Sequence, residues 1–160
     1  MQEKVYRRQA DSHRRRHRGG REPRRRFRYE GLPTAFSASR RTFFIMEAVT
    51  QYLTQQGMER VFGFLARASA GSRLVFAYVR KDFLDGKVFY GWESGYKRFV
   101  KGGIWFSAFE PDELPGFPMK YGWKVIEDRG YDELAEKYLE PLGRRINSTP
   151  VERMVFAEKS

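Results

Sequence analysis

One carboxylate, Glu47, stands where a parallel sheet would place a ligand-binding residue. It follows directly after Phe43–Met46, an unbroken apolar run typical of a parallel strand with both faces covered. In open α/β sheets, ligands bind beyond the carboxyl ends of the parallel strands. Glu47 is therefore the first candidate site residue, and a solvated loop carboxylate is the alternative interpretation.

The elements that would position Glu47 lie in residues 41–79. Thr54 is a candidate N-cap, and the apolar residues after it recur at the spacing of one helical face: Met58, Val61, Phe62 and Leu65. Gly71 follows where a helix commonly ends in a left-handed residue, and Leu74–Val79 is a second apolar, β-prone run. This pattern predicts a strand, a helix and a strand that form one right-handed crossover between parallel strands.

The other residues with potential chemistry give weaker signals. His13 and His17 have an i,i+4 spacing, but the arginines between them oppose a bound cation, so no metal site is expected. Glu110, Asp112 and Glu113 resemble a carboxylate cluster, yet acidic residues commonly open a helix, and we assign them no catalytic role. Residues 42–160 contain no histidine, which excludes a His-based hydrolase triad there, and the absence of cysteine excludes a thiol nucleophile.

The positive charge of the chain is concentrated at its amino end. Residues 1–41 hold 14 of the 31 Lys and Arg residues but only 4 of the 20 Asp and Glu residues. Such self-repelling sequence predicts a disordered basic arm and linker over residues 1–40 and a folded domain over residues 41–160. Clustered arginines also suggest nucleic-acid binding. Aromatic residues that could stack on bases are sparse in the arm, and this sparseness argues against a specific nucleic-acid-binding role.

No membrane segment is expected from the sequence. The first residues lack the apolar stretch of a signal peptide, and no run approaches the roughly 18 apolar residues of a membrane-spanning helix. A cytoplasmic protein is the default expectation.

Several motifs, in order, resemble the leucine carboxyl methyltransferase-like family of S-adenosylmethionine (SAM)-dependent methyltransferases. In that family a strand ends in Glu-Gly-Val, Tyr-Leu-Thr follows, and Gly-Ser closes the next crossover. This chain has Glu47-Ala48-Val49, then Tyr52-Leu53-Thr54, then Gly71-Ser72. The likeness covers roughly residues 40–160 and continues through the segments 109–115, 122–123, 132–139 and 151–158.

The resemblance implies methyl transfer from SAM to an oxygen of a small molecule or peptide. Glu47 matches the glutamate after the fourth strand, which contacts the cofactor in the family. Tyr52 lies near the same strand end, and Tyr90, Trp92 and Tyr96 fall in the region on the acceptor side, so these four are candidate substrate-binding residues. For Tyr52 a packing role is the equal alternative, and for Tyr90, Trp92 and Tyr96 the sequence favours aromatics that pack within their own helix-and-loop insertion. No catalytic residue is assigned, because positioning donor and acceptor supplies much of the rate of direct methyl transfer.

The region ahead of Phe43 departs from the family pattern. Three strands and a glycine-rich cofactor turn precede the fourth strand in the family, and about forty residues are too few for them, since one βαβ unit takes about 30 or more. Gly19-Gly20 follows no apolar strand and is no substitute. We therefore expect an amino-terminally truncated family member that is weakly active or inactive alone.

The predicted fold is α/β, the carboxyl-terminal half of a Rossmann-like methyltransferase sheet with an antiparallel last strand. Strands are expected at 123–127 and 151–157, with a helix at 132–139 and a shortened or kinked helix beginning at 110–114. The strand Phe43–Met46 would then be a hydrophobic sheet edge prone to self-association. The alternatives are a nucleic-acid-binding protein built on the arm and a non-catalytic partner that docks through this edge.

Overall fold

The computed structural model of the protein describes residues 36–160, and the predicted basic arm lies almost entirely outside them. Four strands are present in this part: β1 (Phe43–Met46), β2 (Arg73–Val79), β3 (Trp123–Gly130) and β4 (Glu152–Lys159). The α-helices are α1 (Gln55–Leu65), α2 (Lys81–Leu84), α3 (Glu93–Gly95), α4 (Gly116–Met119) and α5 (Tyr131–Tyr138). Short 3-10 turns occupy Thr50–Tyr52 and Glu140–Leu142, and a π-helical turn occupies Tyr96–Lys101.

The strands form one sheet in the order β1-β2-β4-β3. β1 and β2 are parallel, with Phe43 opposite Arg73 and Met46 opposite Phe76. β4 lies antiparallel between β2 and β3, and a register shift interrupts its pairing with β3 between Val125 and Glu127. The predicted α/β class, with a parallel crossover and an antiparallel last strand, is confirmed.

Helix α1 covers one face of this sheet. The Thr54 hydroxyl accepts a hydrogen bond from the Gly57 amide at 3.2 Å, which caps one of the free N–H groups at the helix start. The predicted apolar face places Met58, Phe62 and Leu65 in the core. They join a cluster with Leu74, Phe76, Tyr78, Trp123, Val155 and Ala157 from the strands, and with Leu114.

Two downstream predictions need correction or adjustment. The helix start expected at 110–114 is a series of turns, and a helix forms only at Gly116–Met119, because Pro115 and Pro118 limit its length. The strand that begins at Trp123 runs on to Gly130, and the last strand runs from Glu152 to Lys159. The predicted helix at 132–139 is present as α5.

Within residues 36–160, β1 has a neighbouring strand on one side only. The Phe43 and Ile45 side chains are 57% and 65% exposed, whereas Phe44 and Met46 pack against the core below. An apolar edge of this kind can pair with another chain. Self-association through Phe43–Met46 therefore stays a prediction.

We expect Ile45→Lys to reduce self-association and to leave the protein folded. A lysine on an edge strand opposes edge-to-edge pairing, and a substitution at so exposed a site costs no more than about 0.5 kcal/mol. Sedimentation velocity over a concentration series measures the effect. Ile146→Lys, at an exposed loop position, is the matched control. An unchanged concentration dependence in the Ile45 variant would rule out association through this edge.

No helix in residues 36–160 is long and apolar enough to cross a membrane.

Candidate functional site at the carboxyl end of the parallel strands

Two glutamates meet the end of the parallel pair. Glu47 follows the last residue of β1, and Glu152, the first residue of β4, lies opposite Val79, the last residue of β2. The Arg80 amide donates to the Val151 carbonyl at 2.9 Å and holds this end of the sheet together. The antiparallel β4 therefore brings a second carboxylate, distant in sequence, to the edge where Glu47 was predicted to act.

The turn after Glu47 is fixed by contacts with the sheet. The Thr50 hydroxyl donates to the Ala77 carbonyl of β2 at 2.7 Å. The Gln51 carbonyl accepts from the Phe106 amide at 2.7 Å, and the Gln51 side-chain amide donates to Glu152 Oε1 at 3.3 Å. Gln51 is only 1% exposed, and its side-chain oxygen has no hydrogen-bond partner among the described residues. The turn thus places a buried amide beside the Glu152 carboxylate.

Ala48 adopts a left-handed backbone conformation, with φ = 50°. The resembled family often has glycine at this position, and glycine adopts such a conformation without steric strain. The left-handed residue reverses the chain directly after Glu47 and leads it into the Thr50–Tyr52 turn. The structure therefore gives a physical reason for a glycine at this position.

We expect Ala48→Gly to stabilise the protein by about 0.5–1 kcal/mol. The strain of a left-handed alanine is roughly 1–2 kcal/mol, and the greater freedom of glycine in the unfolded chain offsets part of the gain. Urea denaturation of the variant measures the change. Ala70→Gly, at an exposed residue without a positive φ, should not raise stability, and an equal gain there would contradict the explanation.

The environment of Glu152 disfavours its charged form. Part of the residue is open to solvent, but the protein packed around its carboxyl group raises the pKa of Glu152, and the negative charge of Glu47 raises it further. Among residues 36–160, neither glutamate forms an ion pair with a lysine or arginine. Within the part of the chain that the structure describes, the two glutamates therefore form a negative patch at the strand ends without a paired cation.

We expect Glu152→Gln to stabilise the protein at neutral pH. A raised carboxyl pKa means that Glu152 holds its proton more tightly in the folded protein than in the unfolded chain. The protonated side chain therefore stabilises the fold in acid, and this stabilisation is lost as the pH rises through the pKa of Glu152 in the folded protein. Glutamine keeps an oxygen for Gln51 and carries no charge. Because the side chain is exposed, the gain should stay below about 1 kcal/mol and disappear below about pH 4. Thermal unfolding between pH 4 and pH 8 tests this, and a pH-independent difference would contradict it.

The predicted acceptor-side aromatics lie beside the same strand ends. Trp92 stacks on Phe83 with ring centroids 5.9 Å apart, and Tyr96 meets Phe83 edge-on at 5.8 Å. Tyr90 packs on this cluster, and the cluster also contains Val79, Trp105 and Val151. Tyr52 meets Trp105 edge-on with ring centroids 6.4 Å apart and is 45% exposed. The four residues therefore approach one region, and their contact with an acceptor stays a prediction.

Tyr90 is held by an ion pair that the sequence did not reveal. Arg80 donates to Asp82 through Nε and Nη2, the Tyr90 hydroxyl donates to Asp82 Oδ2, and the Arg80 guanidinium lies 5.3 Å from the centre of the Tyr90 ring. Burial works against the charged carboxylate, but these hydrogen bonds hold the pKa of Asp82 below its usual value. Tyr90 has φ = 53°, so its contacts fix a backbone conformation that non-glycine residues rarely adopt.

Other candidate chemistry is sparse in the described residues. No group of three or more His, Asp or Glu side chains in residues 36–160 is arranged to hold a metal ion, and His13 and His17 lie outside this range. Glu110, Asp112 and Glu113 lie in the turns before α4. Gln51 and Glu152 were missed as site residues because they are 101 positions apart. The only local sequence signal for Glu152 was the position of a glutamate at the start of an apolar strand.

Comparison with known proteins gives similarity of fold. No family model matches the sequence, and no curated protein matches it, so the leucine carboxyl methyltransferase-like family is not confirmed. The structure is similar to that of a DUF574 family protein from Streptomyces avermitilis MA-4680, with a TM-score of 0.53 and 11% identity, over 82% of this chain and 49% of that one. A SAM-dependent methyltransferase from Mesorhizobium loti gives a TM-score of 0.47 and 13% identity, over 73% of this chain and 61% of that one. The chain thus spans about half the length of the DUF574 family structure and shares its fold.

Proposed function

We propose that the protein takes part in SAM-dependent methyl transfer, to a carboxylate or hydroxyl oxygen of a small molecule or peptide. The observation that carries this proposal is the position of Glu47 directly beyond the carboxyl end of the parallel strands, the end at which Gln51 contacts Glu152. Ligands of open α/β sheets bind at this edge. The sequence motifs around Glu47, which resemble a methyltransferase family, point to SAM as the ligand.

The residues at this edge fit the polar groups of SAM. Glu47 and Glu152 are hydrogen-bond acceptors when charged, and SAM carries hydroxyl and ammonium groups that donate. The buried Gln51 oxygen is a further acceptor without a partner in the described residues. When bound, SAM supplies a methyl group on a positively charged sulfur. The protein's own contribution would be to hold donor and acceptor in line and to place negative charge near the cation.

The aromatic cluster gives the proposal an acceptor side. Tyr90, Trp92 and Tyr96 pack beside Val79 and Val151, which flank the same strand ends. Their exposed edges would form an apolar wall for the acceptor, and Tyr52 would lie between this wall and Glu47. When the acceptor is a carboxylate, none of these side chains needs to move a proton for direct methyl transfer, whereas a hydroxyl acceptor would release its proton to water.

Calorimetric titration with S-adenosylhomocysteine (SAH) tests the proposal. We expect the wild-type chain to bind in the micromolar range or more weakly, since the glycine-rich turn of the resembled family is not among residues 36–160. Glu47→Ala should weaken binding at least about tenfold, as expected for loss of a charge-assisted hydrogen bond. Glu59→Ala, an exposed position on α1, is the matched control. A folded wild-type sample that gives no heat at millimolar SAH would refute the proposal.

A further inference from the structure

The amino end of the parallel strands carries an open groove, at the opposite end of β1 from Glu47. Its volume of about 370 Å³ lies within the range of roughly 300–1,000 Å³ that ligand sites have. None of the described residues that line it is acidic, and two are arginines; the lining residues are Arg41, Thr42, Phe43, Gly71 and Arg73. The composition of the groove therefore suits an anionic ligand.

Arg73, at the start of β2, is oriented by a carboxylate on the neighbouring strand. Its Nε donates to Glu158 Oε1 at 3.2 Å, and no acceptor among residues 36–160 binds its two Nη groups. The Arg73 side chain is 62% exposed, so these Nη groups are open to a ligand. A guanidinium held in this way binds phosphate oxygens through parallel hydrogen bonds.

Arg41 reaches the same groove because residue 71 is a glycine. A Cβ atom on Gly71 would lie 2.9 Å from Arg41 Cδ, so a larger residue would displace the arginine side chain. Gly71 also has φ = 76°, which glycine adopts without steric strain. Arg41 forms no ion pair with an acidic residue in the described part of the chain. The groove therefore keeps a positive charge after Glu158 has paired with Arg73.

Phe43 adds an exposed aromatic ring to the two arginines. It lies opposite Arg73 in the β1–β2 register, so the two side chains share one face of the sheet, and Phe43 is 57% exposed. Nucleic-acid bases stack on aromatic side chains of this kind with little dependence on base identity. A base must be free of its duplex neighbours to reach such a ring, which favours single strands. Phe43 thus supplies the stacking group that is sparse in the basic arm.

The charge of the amino-terminal part of the chain is continuous with the groove. Residues 1–41 hold 14 Lys and Arg residues and only 4 Asp and Glu residues, and the last of these arginines, Arg41, lines the groove. Lys159, at the end of β4, is at the same end of the sheet, because its carbonyl accepts from the Gly71 amide at 2.9 Å. Many cations beside one groove match a ligand with successive phosphates better than a single small anion.

We propose that this groove binds one nucleotide of a single-stranded nucleic acid. The base stacks on Phe43, and its phosphate lies between Arg41 and Arg73. Phosphates of the flanking nucleotides are attracted by the arginines of residues 1–40. Binding is tolerant of sequence and depends on salt. Because the groove is at the opposite end of the parallel strands from Glu47, this inference does not rest on methyl transfer.

Fluorescence anisotropy with a short labelled oligothymidylate tests the proposal on the full chain at several salt concentrations. We expect Arg41→Gln and Arg73→Gln each to weaken binding at least about fivefold and to lower the salt dependence by about one phosphate contact. Arg144→Gln, in the exposed loop before β4, removes the same charge elsewhere and should change affinity less than about twofold. Circular dichroism checks that each variant is folded.

A second probe, inorganic polyphosphate, separates base stacking from charge. We expect Phe43→Leu to weaken oligothymidylate binding at least about fivefold and to leave polyphosphate binding unchanged. Phe106→Leu, at another exposed aromatic residue, should affect neither probe.

Three results would overturn the nucleotide site. The first is a folded wild-type chain that does not bind the oligothymidylate at low salt. The second is an equal loss of affinity in Arg73→Gln and Arg144→Gln, which would assign binding to overall charge. The third is a Phe43→Leu variant that binds both probes as the wild type does, or that loses affinity equally for both.

Discussion

Phe62→Ala is expected to lower the free energy of unfolding by about 3–5 kcal/mol. Phe62 is fully buried on α1 and packs edge-on against Phe76 of β2 and against Phe117, with ring centroids 5.6 Å and 4.9 Å apart. It also contacts Tyr121, so one ring joins the helix, the sheet and the segment before β3. Truncation would remove these contacts and leave a cavity that rigid aromatic neighbours cannot fill.

Urea denaturation followed by circular dichroism measures this loss. A domain of this size has a total stability of about 5–15 kcal/mol, so the variant could be largely unfolded at 37 °C. Phe64→Ala, on the exposed side of the same helix, is the control and should cost about 1 kcal/mol or less. Equal losses for the two variants would contradict the assignment of α1's buried face.

Arg153→Met is expected to cost about 3 kcal/mol, because it strips the partner from a largely buried carboxylate. Arg153 donates to Asp128 Oδ1 at 2.8 Å and to the Asp128 carbonyl at 3.0 Å, and these side chains are only 17% and 15% exposed. Asp128 also accepts a hydrogen bond from the buried Tyr78 hydroxyl at 2.7 Å. Burial, and then the neighbouring carboxylate, raise the pKa of Tyr78, so it stays a neutral donor at every physiological pH.

Two control variants distinguish the buried network of Arg153, Asp128 and Tyr78 from an exposed ion pair. Tyr78→Phe removes one hydrogen bond and should cost about 1 kcal/mol. Arg129→Met breaks a more exposed pair with Glu127 on β3, and we expect a loss below about 1 kcal/mol. Equal effects of Arg153→Met and Arg129→Met in urea denaturation would contradict a structural role for the buried network.

The elements around Glu47 could be predicted because their signals are local. The apolar run of β1, the Thr54 cap and the spacing of Met58, Phe62 and Leu65 each lie within a few residues, and the structure has the strand and helix where the sequence indicated them. A helix shortened or kinked by proline was predicted to begin at 110–114, from the acidic residues there. The shortening is present, but the helix begins only at Gly116, directly after Pro115, and residues 111–115 are turns.

The second half of the candidate site could not be predicted, because sheet register creates it. Glu152 reaches the strand ends only because β4 inserts antiparallel beside β2 with Glu152 opposite Val79. No periodicity in the sequence specifies that pairing, and Gln51 looked like an ordinary polar turn residue. The exposed edge of β1 and the basic arm bear on the two alternative functions, edge docking and nucleic-acid binding, and both remain predictions.

Location of the SAH site by NMR tests the central claim most directly. Amide chemical shifts of isotope-labelled protein are followed while SAH is added up to millimolar concentration. We predict that the largest shifts fall in residues 46–52, 79–83 and 150–153, which meet at the carboxyl end of the parallel strands. Saturable shifts centred elsewhere, such as the groove between Tyr131, Leu139 and Arg145, would contradict the assignment of Glu47 as the cofactor contact.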